Sequence, residues 1–455
     1  MSRIRRTPSD AALPSLQDLF PTAGAPGFVA DVARQATGSP VDADLGKLRY
    51  ARYRPARDCV ALWSFPSESS RPLLVSGKLY SDRSGAPSAD LSSLQRLAEQ
   101  AEPLAGGNAI PYRYLPDQPL LLQVFPLDAE LPGLALAASN AWMSDALARH
   151  SGTSPDDLPL EASIVVYKPW HRSVLRYVGE GPEGRVDYFA KVLRDDRGHL
   201  LAERLRTLKA QLAGLDSPWE VPEPIAYLPE ARTLVLRALG SDGEVKALVK
   251  QALDNPLARQ TLRQCIPKVA EGLASLQAAT IDGLPVVDPP KLLTKLRLKT
   301  ACLRRVERTL ASSIEAMLDR LQAAAERLPA EEMVLSHGAF RHTQILLSGD
   351  RLGLIDLDDV RLSGKSSDAG EFLAALDRLA VRRPRLRPVA QEVAGAFLAA
   401  LHGSLALDLR WLAWYRALAD VKNGAHSLFA LSPRWPERAE GLIRLAGETL
   451  NEAGL

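Results

Sequence analysis

Apolar residues follow two periods along the chain, and the change between them falls near residue 245. Before it, short runs alternate apolar and polar residues: SIVVYK (163–168), VLRYV (174–178) and DYFAKVL (187–193). That period of two predicts strands with one buried face. GEGPEG, between the last two runs, predicts a hairpin turn. GHLLAERLRTLKAQLAG (198–214) then places Leu200, Leu201, Leu205, Leu208 and Leu212 largely on one helical face. Two short strands follow, around EPIAYL and TLVLRAL.

After 246 the spacing becomes helical. It holds through 257–280, 289–328 and 370–380, and again through 387–403 and 409–431. Pro289 and Pro290 suit the first turn of a helix. One β-like stretch interrupts this half: TQILLS, the turn GD, then RLGLID, a hairpin over 343–356.

The first half also repeats itself. LRYARYRPARDCVALWSF followed by LLVSGKLYSD resembles SIVVYKPWHRSVLRYV followed by DYFAKVLRDD. Tyr53 matches Tyr167, Lys78 matches Lys191 and Tyr114 matches Tyr227, always 113 or 114 residues apart. The reading divides the chain into a tail and lead-in (1–45), an N-terminal sheet domain (46–150), a second sheet domain (151–245) and a mostly helical region (246–455).

Composition narrows the function. At 455 residues the chain is long enough for two or three domains. Apolar residues are 46% and charged residues 24%, ordinary for a globular protein. A net charge of +2 leaves no polybasic field for nucleic acid or an anionic membrane. Cys59, Cys265 and Cys302 are too few and too scattered for a disulfide framework or a metal site. No apolar run approaches the roughly 18 residues of a membrane span. The N-terminal MSRIRRTPSDAALPS has no apolar core behind its charges and reads as a frayed tail, so a cytoplasmic location is expected.

The chemistry concentrates in VLSHGAFRHTQILLSGDRLGLIDLDD, residues 334–359. His337 and Gly338 open a loop, Gln344 lies five residues after Ala339, and Asp356 ends the second strand of the hairpin. With GLIDLDD and the downstream LSGKSSDAGEFLAAL, this order resembles the aminoglycoside phosphotransferase and choline kinase family. The family's loop reads His-Gly-Asp-x4-Asn and is followed by Ile-Asp. The resemblance covers about 160–455.

The resemblance implies an α+β, two-lobed, protein-kinase-like fold, with a duplicated N-lobe-like domain at the N-terminus. It implies ATP and Mg²⁺ as cofactors, and transfer of the γ-phosphoryl group to a hydroxyl of a small molecule, sugar- or aminoglycoside-like. Gln344 and Asp356 would hold the metal, and Lys191 would contact the phosphates with Glu203 as its partner. Ser173, in KPWHRS, would face the phosphates, and Asp368 would cap a helix beneath the loop. An outward-facing edge lysine is the alternative for Lys191. His337 would orient the loop.

Two positions depart from the pattern. Gln344 replaces an asparagine but keeps an amide oxygen. Ala339 stands where the base aspartate belongs and can neither accept a proton nor orient a hydroxyl. A general base typically contributes ~10²–10⁴-fold, while positioning and metal electrostatics carry most of phosphoryl transfer. His342 on the same loop, or Asp358 after the metal aspartate, are candidate substitutes. The alternative is a pseudokinase that binds nucleotide, or a protein partner through the N-terminal domain, without turnover. Trp411, Trp414, Tyr415 and Lys422 fall in the expected acceptor region, where core packing explains aromatics equally well.

Overall fold

The computed structural model describes residues 7–67, 72–81, 87–101, 111–181 and 184–455. It is mixed α/β with mainly antiparallel sheets. The chain forms two compact units. The first comprises residues 1–202, 224–238 and 429–433, and the second 203–223, 239–428 and 434–455.

The first unit holds two five-stranded sheets. One is built from β1 (Lys47–Arg54), β2 (Asp58–Phe65), β3 (Leu73–Tyr80), β4 (Tyr112–Leu115) and β5 (Leu120–Val124). The other uses β6 (Leu160–Lys168), β7 (Arg172–Gly181), β8 (Gly184–Val192), β10 (Pro224–Leu228) and β11 (Thr233–Arg237); β9 (Trp219–Glu220) belongs to the second unit. The spatial orders are β1-β2-β3-β5-β4 and β6-β7-β8-β11-β10, the same topology twice. Register agrees as well. Lys78 on β3 faces Leu121, which faces Tyr114; Lys191 on β8 faces Leu234, which faces Tyr227. Strands β7 and β8 pair through to Gly181 and Gly184; the central residues of the expected GEGPEG turn, 182 and 183, lie outside the described residues.

Helices α1 (Gly27–Thr37), α2 (Ser88–Ala101), α3 (Leu134–Ala138) and α4 (Asn140–Ser151) complete this part of the unit. Leu62 and Leu74 of the first sheet, Leu134 and Met143 of α3 and α4, and Leu175 and Tyr177 of the second sheet share one core. The segment expected to fray is partly packed. Leu13 and Leu16 are buried, and Asp10 accepts hydrogen bonds from the Tyr53 hydroxyl and the Ala56 amide, each at 2.7 Å. Apolar side chains three and six residues after Asp10 explain the difference: burying them outweighs the freedom of a short tail.

Helix α5 (Gly198–Gly214) coincides with the amphipathic run, and Glu203 onward belongs to the second unit. That unit is mostly helical: α6 (Val245–Gln251), α7 (Pro256–Ala278), α8 (Pro289–Thr300), α9 (Arg308–Arg327), α10 (Ser367–Arg382), α11 (Arg387–Ser404), α12 (Leu409–Phe429) and α13 (Trp435–Glu452). The long helical run over 289–328 is two helices. A 3₁₀ turn over Ala301–Arg305 separates them and lets α8 and α9 pack on each other, which periodicity alone does not reveal. The Asp288 carboxylate caps α8 by accepting from the Lys291 amide at 3.0 Å, and Pro289 and Pro290 occupy the first turn.

Strands β12 (Gly243–Glu244), β14 (Ile345–Ser348), β15 (Arg351–Leu354) and β9 form one small sheet; β13 (Met333–Ser336) and β16 (Arg361–Gly364) form another. Trp411, Trp414 and Tyr415 are buried and pack on one another, Trp414 edge-to-face with the other two, so these aromatics are core. Among the described residues no helix is long and apolar enough to cross a membrane.

Candidate active site

Strand β13 delivers the chain into His337 and Gly338. Gly338 has φ 81°, and a Cβ there would run into the Asp359 carbonyl, so glycine is required on both counts. The His337 and Gly338 amides donate to the two oxygens of Asp368, at 2.6 and 3.1 Å. Asp368 is fully buried, and burial pushes its carboxyl up while His337, Arg361 and the amides draw it down. It lies inside the first turn of α10, whose N-cap is Ser366. Its carboxylate therefore brackets the loop and does not cap its own helix.

The His337 ring is buried, with Nε2 3.0 Å from the Ile355 carbonyl, and rests against Phe340. Phe340 in turn packs on Trp219 and Phe372. The loop is thus held by its own core.

The hairpin brings the next pair together. Ile345 faces Leu354, and the Gln344 carbonyl accepts from the Ile355 amide at 3.1 Å. The Gln344 side chain donates through Nε2 to Asp356 Oδ2 at 3.3 Å. Gln344 is buried, and its Oε1 has no hydrogen-bond partner. Asp356 has φ 67° and ψ 46°, a left-handed conformation that costs a non-glycine residue of order 1 kcal/mol or more and gathers at functional sites.

A buried, unpaired amide oxygen beside a carboxylate fits a hard divalent cation, which takes oxygen ligands and usually completes its shell with water and phosphate. Among the described residues no group of three His, Cys, Asp or Glu could hold a metal without such help. Asp358 and Asp359 follow in a short 3₁₀ turn, Asp358 half-buried and Asp359 exposed.

Ala339 is half-buried at the rim of the loop, and its carbonyl accepts from Arg341 Nε at 3.1 Å. His342 is buried and its Nδ1 is unpartnered. Burial first, then Arg378 and Arg341, lower its imidazole to about 4, so it is neutral at physiological pH and weakly basic. One turn beyond Asp368, Glu371 is ion-paired with Lys422 on α12. Burial opposes ionisation of Glu371, but Lys422, Arg341 and Arg361 hold its carboxyl below the usual range.

The residues expected to bind phosphate lie in the first unit, apart from Glu203, which is on α5 in the second. Lys191 is half-buried on β8, between β7 and β11. Ser173 is fully buried, and its hydroxyl donates to the Val166 carbonyl at 3.2 Å. Trp170, at the turn between β6 and β7, is also fully buried. Its amide donates to Asp128 at 2.9 Å and its indole Nε1 to Asp90 at 3.1 Å.

Sequence reasoning passed over Asp128, Asp90, Arg361 and Arg378. Asp128 and Asp90 carried no motif. Glu371 and Arg378 could have been noticed as charges seven residues apart, and so on one face of α10.

Residues 171–364 match the phosphotransferase enzyme family APH. No curated protein matches the chain. Among solved structures similar to it, a choline/ethanolamine kinase family protein from Mesorhizobium loti is 13% identical, covering 68% of this chain and 94% of its own, with a TM-score of 0.46. A choline kinase from Cryptosporidium parvum is 12% identical, covering 70% and 94%, with a TM-score of 0.44. An aminoglycoside phosphotransferase from Streptomyces rimosus is 16% identical, covering 66% and 96%, with a TM-score of 0.37.

Proposed function

Taking the phosphotransferase enzyme family match of residues 171–364 as premise, we propose that the chain moves the γ-phosphoryl group of ATP, with Mg²⁺, to a small-molecule acceptor. The observation that carries this is the loop itself. Asp368 brackets the His337–Gly338 turn while the hairpin sets Gln344 against Asp356, and Gln344 Oε1 is left buried and unpaired.

Gln344 and Asp356 would bind the metal, which would neutralise phosphate charge and polarise the γ-phosphoryl group. Lys191 would contact the nucleotide phosphates. His337 and Asp368 keep the loop in shape. The first unit then corresponds to a kinase-like N-lobe with a duplicated copy ahead of it, and the second to the helical C-lobe. Cys59, Cys265 and Cys302, which form no disulfide among the described residues, suit a reducing cytoplasm.

The test is the melting temperature of the full chain with ATP, with and without Mg²⁺, for wild type and Asp356→Ala. Ligand at about 100 times its dissociation constant adds ~2.7 kcal/mol, which is several degrees at roughly 2–4 °C per kcal/mol. A Mg²⁺-dependent shift that disappears in Asp356→Ala is expected. No shift with ATP under either condition overturns the nucleotide site.

A further inference from the structure

Three arginines stand around the His337–Gly338 turn, and none forms an ion pair among the described residues. Arg341 Nε donates only to the Ala339 carbonyl, at 3.1 Å. The Arg361 guanidinium carbon is 3.3 Å from where a Cβ on Gly338 would be, and its Nε is buried without a partner. Arg378, half-buried on α10, senses both Arg341 and His342. The carboxylate that Arg341, Arg361 and Arg378 all sense, Glu371, is already paired with Lys422. Other half-buried arginines do have carboxylates: Arg416 holds Asp377 at 2.6 Å.

Like charges packed together and partly out of water are unfavourable unless something neutralises them. A guanidinium fork matches a carboxylate or a phosphate through two parallel hydrogen bonds. A polycationic acceptor would instead meet charge of its own sign.

The second observation is Ala339. A hydroxyl nucleophile must lose a proton, and the loop position expected to take it holds an alanine. A carboxylate or phosphate oxygen carries no proton to lose.

We propose that the acceptor presents an oxyanion, a carboxylate or a phosphate group, to Arg341, Arg361 and Arg378, and attacks the γ-phosphorus through it. This rests on the phosphotransferase reading above and names the substrate class of that site. One acceptor oxygen forms the new bond to the γ-phosphorus, and the arginines hold the remaining oxygens. The bond from the γ-phosphorus to the β,γ-bridging oxygen breaks, and ADP leaves with that electron pair. No proton is transferred. The product is an acyl phosphate from a carboxylate, or a phosphoric anhydride from a phosphate.

Binding is tested without turnover, using inorganic phosphate as the probe and thermal protection of the full chain as the readout. Wild type is expected to be protected. Arg378→Gln and Arg341→Gln should each weaken phosphate about 10-fold or more, the share of a charged hydrogen bond, while Arg304→Gln, at an exposed arginine paired with Glu315, keeps it. No protection in wild type, or protection unchanged in both arginine variants, overturns the site. The ATP–Mg²⁺ shift is read in parallel. That shift without phosphate protection defeats this inference alone; phosphate protection without it defeats the phosphotransferase reading and leaves an anion site only.

Transfer is tested with γ-labelled ATP against pools of simple carboxylates, phosphate monoesters, neutral sugars and polyamines. Label released from the product as phosphate by hydroxylamine, with a hydroxamate formed from the carboxylate, identifies a carboxylate acceptor; label stable to hydroxylamine on a phosphate monoester identifies a phosphate acceptor. Label on sugars or polyamines only, or on no pool, overturns the transfer step. Ala339→Asp separates the chemistries by sign. A carboxylate beside Arg341 should compete with an oxyanion acceptor and lower phosphate affinity and transfer about 10-fold or more. A rise in either quantity overturns the proposal.

Discussion

At the scale of single residues, Asp368 shows how a buried charge is used. It accepts from the two backbone amides of the His337–Gly338 turn. Asp368→Ala should leave both amides unsatisfied and lower stability by about 2–4 kcal/mol, measured by urea unfolding. A loss below about 0.5 kcal/mol would mean that the turn holds its shape unaided. Asp420 on α12 is the opposite case. It is fully buried with both oxygens unpartnered, and burial beside Asp377 raises its carboxyl well above the ordinary range. The folded state therefore holds this proton more tightly than the unfolded chain, a penalty that grows as pH rises above the unfolded value and fades as pH falls toward it. Asp420→Asn should raise the melting temperature at pH 7, with a smaller gain at pH 4. A drop at both pH values would show that the acid form makes a bond an amide cannot replace. The order of His337, Gly338, Gln344 and Asp356 was legible because a loop and a hairpin fix the spacing of their residues along the chain, whereas Asp368 was expected to cap its helix and instead accepts the loop amides. Arg361 and Arg378 were not, because their meaning lies in which side chains fail to pair with them.

At the scale of elements, the turn between β6 and β7 was expected to face phosphates, yet its Trp170 is sunk into the neighbouring sheet's core with Val60, Tyr80 and Leu121. Asp128 holds this arrangement. Its Oδ2 accepts from the Trp170 amide at 2.9 Å and the Tyr167 hydroxyl at 3.0 Å. Burial raises the Asp128 carboxyl to about 6, against the hydrogen bonds that draw it down. The folded state thus binds this proton more tightly than the unfolded chain. The stability so contributed is full below about pH 4 and lost as pH rises through about 6, a change of ~3 kcal/mol. Asp128→Asn cannot titrate, so its stability relative to wild type should improve by about that amount between pH 4 and pH 7, in urea titrations at each pH. A gap that does not vary with pH would show that Asp128 titrates normally. Alternation predicted the strands themselves, because half-buried strands must alternate. It could not predict that a loop tryptophan would serve the other sheet.

At the scale of the whole molecule, two sheets share strand order and register, but their lysines live differently. Lys78 is buried, 2.8 Å from Asp90 and 3.6 Å from Glu130, with its ammonium 5.6 Å from the Trp170 ring centre. That position is filled by protein. Lys78→Met should therefore lower the melting temperature but leave the ATP–Mg²⁺ shift intact, whereas Lys191→Met should abolish the shift and change the melting temperature less. Loss of the shift in Lys78→Met would place nucleotide on the wrong sheet. By itself the sequence determined the strands, the long helices, the internal repeat and the spacing of the loop and hairpin residues. Those depend on neighbours along the chain and on periods that burial enforces. Only the tertiary structure decided that Asp368 brackets the loop, that Trp170 closes the first sheet's lysine site, and that Arg341, Arg361 and Arg378 come together without forming ion pairs among the described residues. Each of these is a meeting of side chains from separate segments, and solvation and charge act on distance in space, not on distance in sequence.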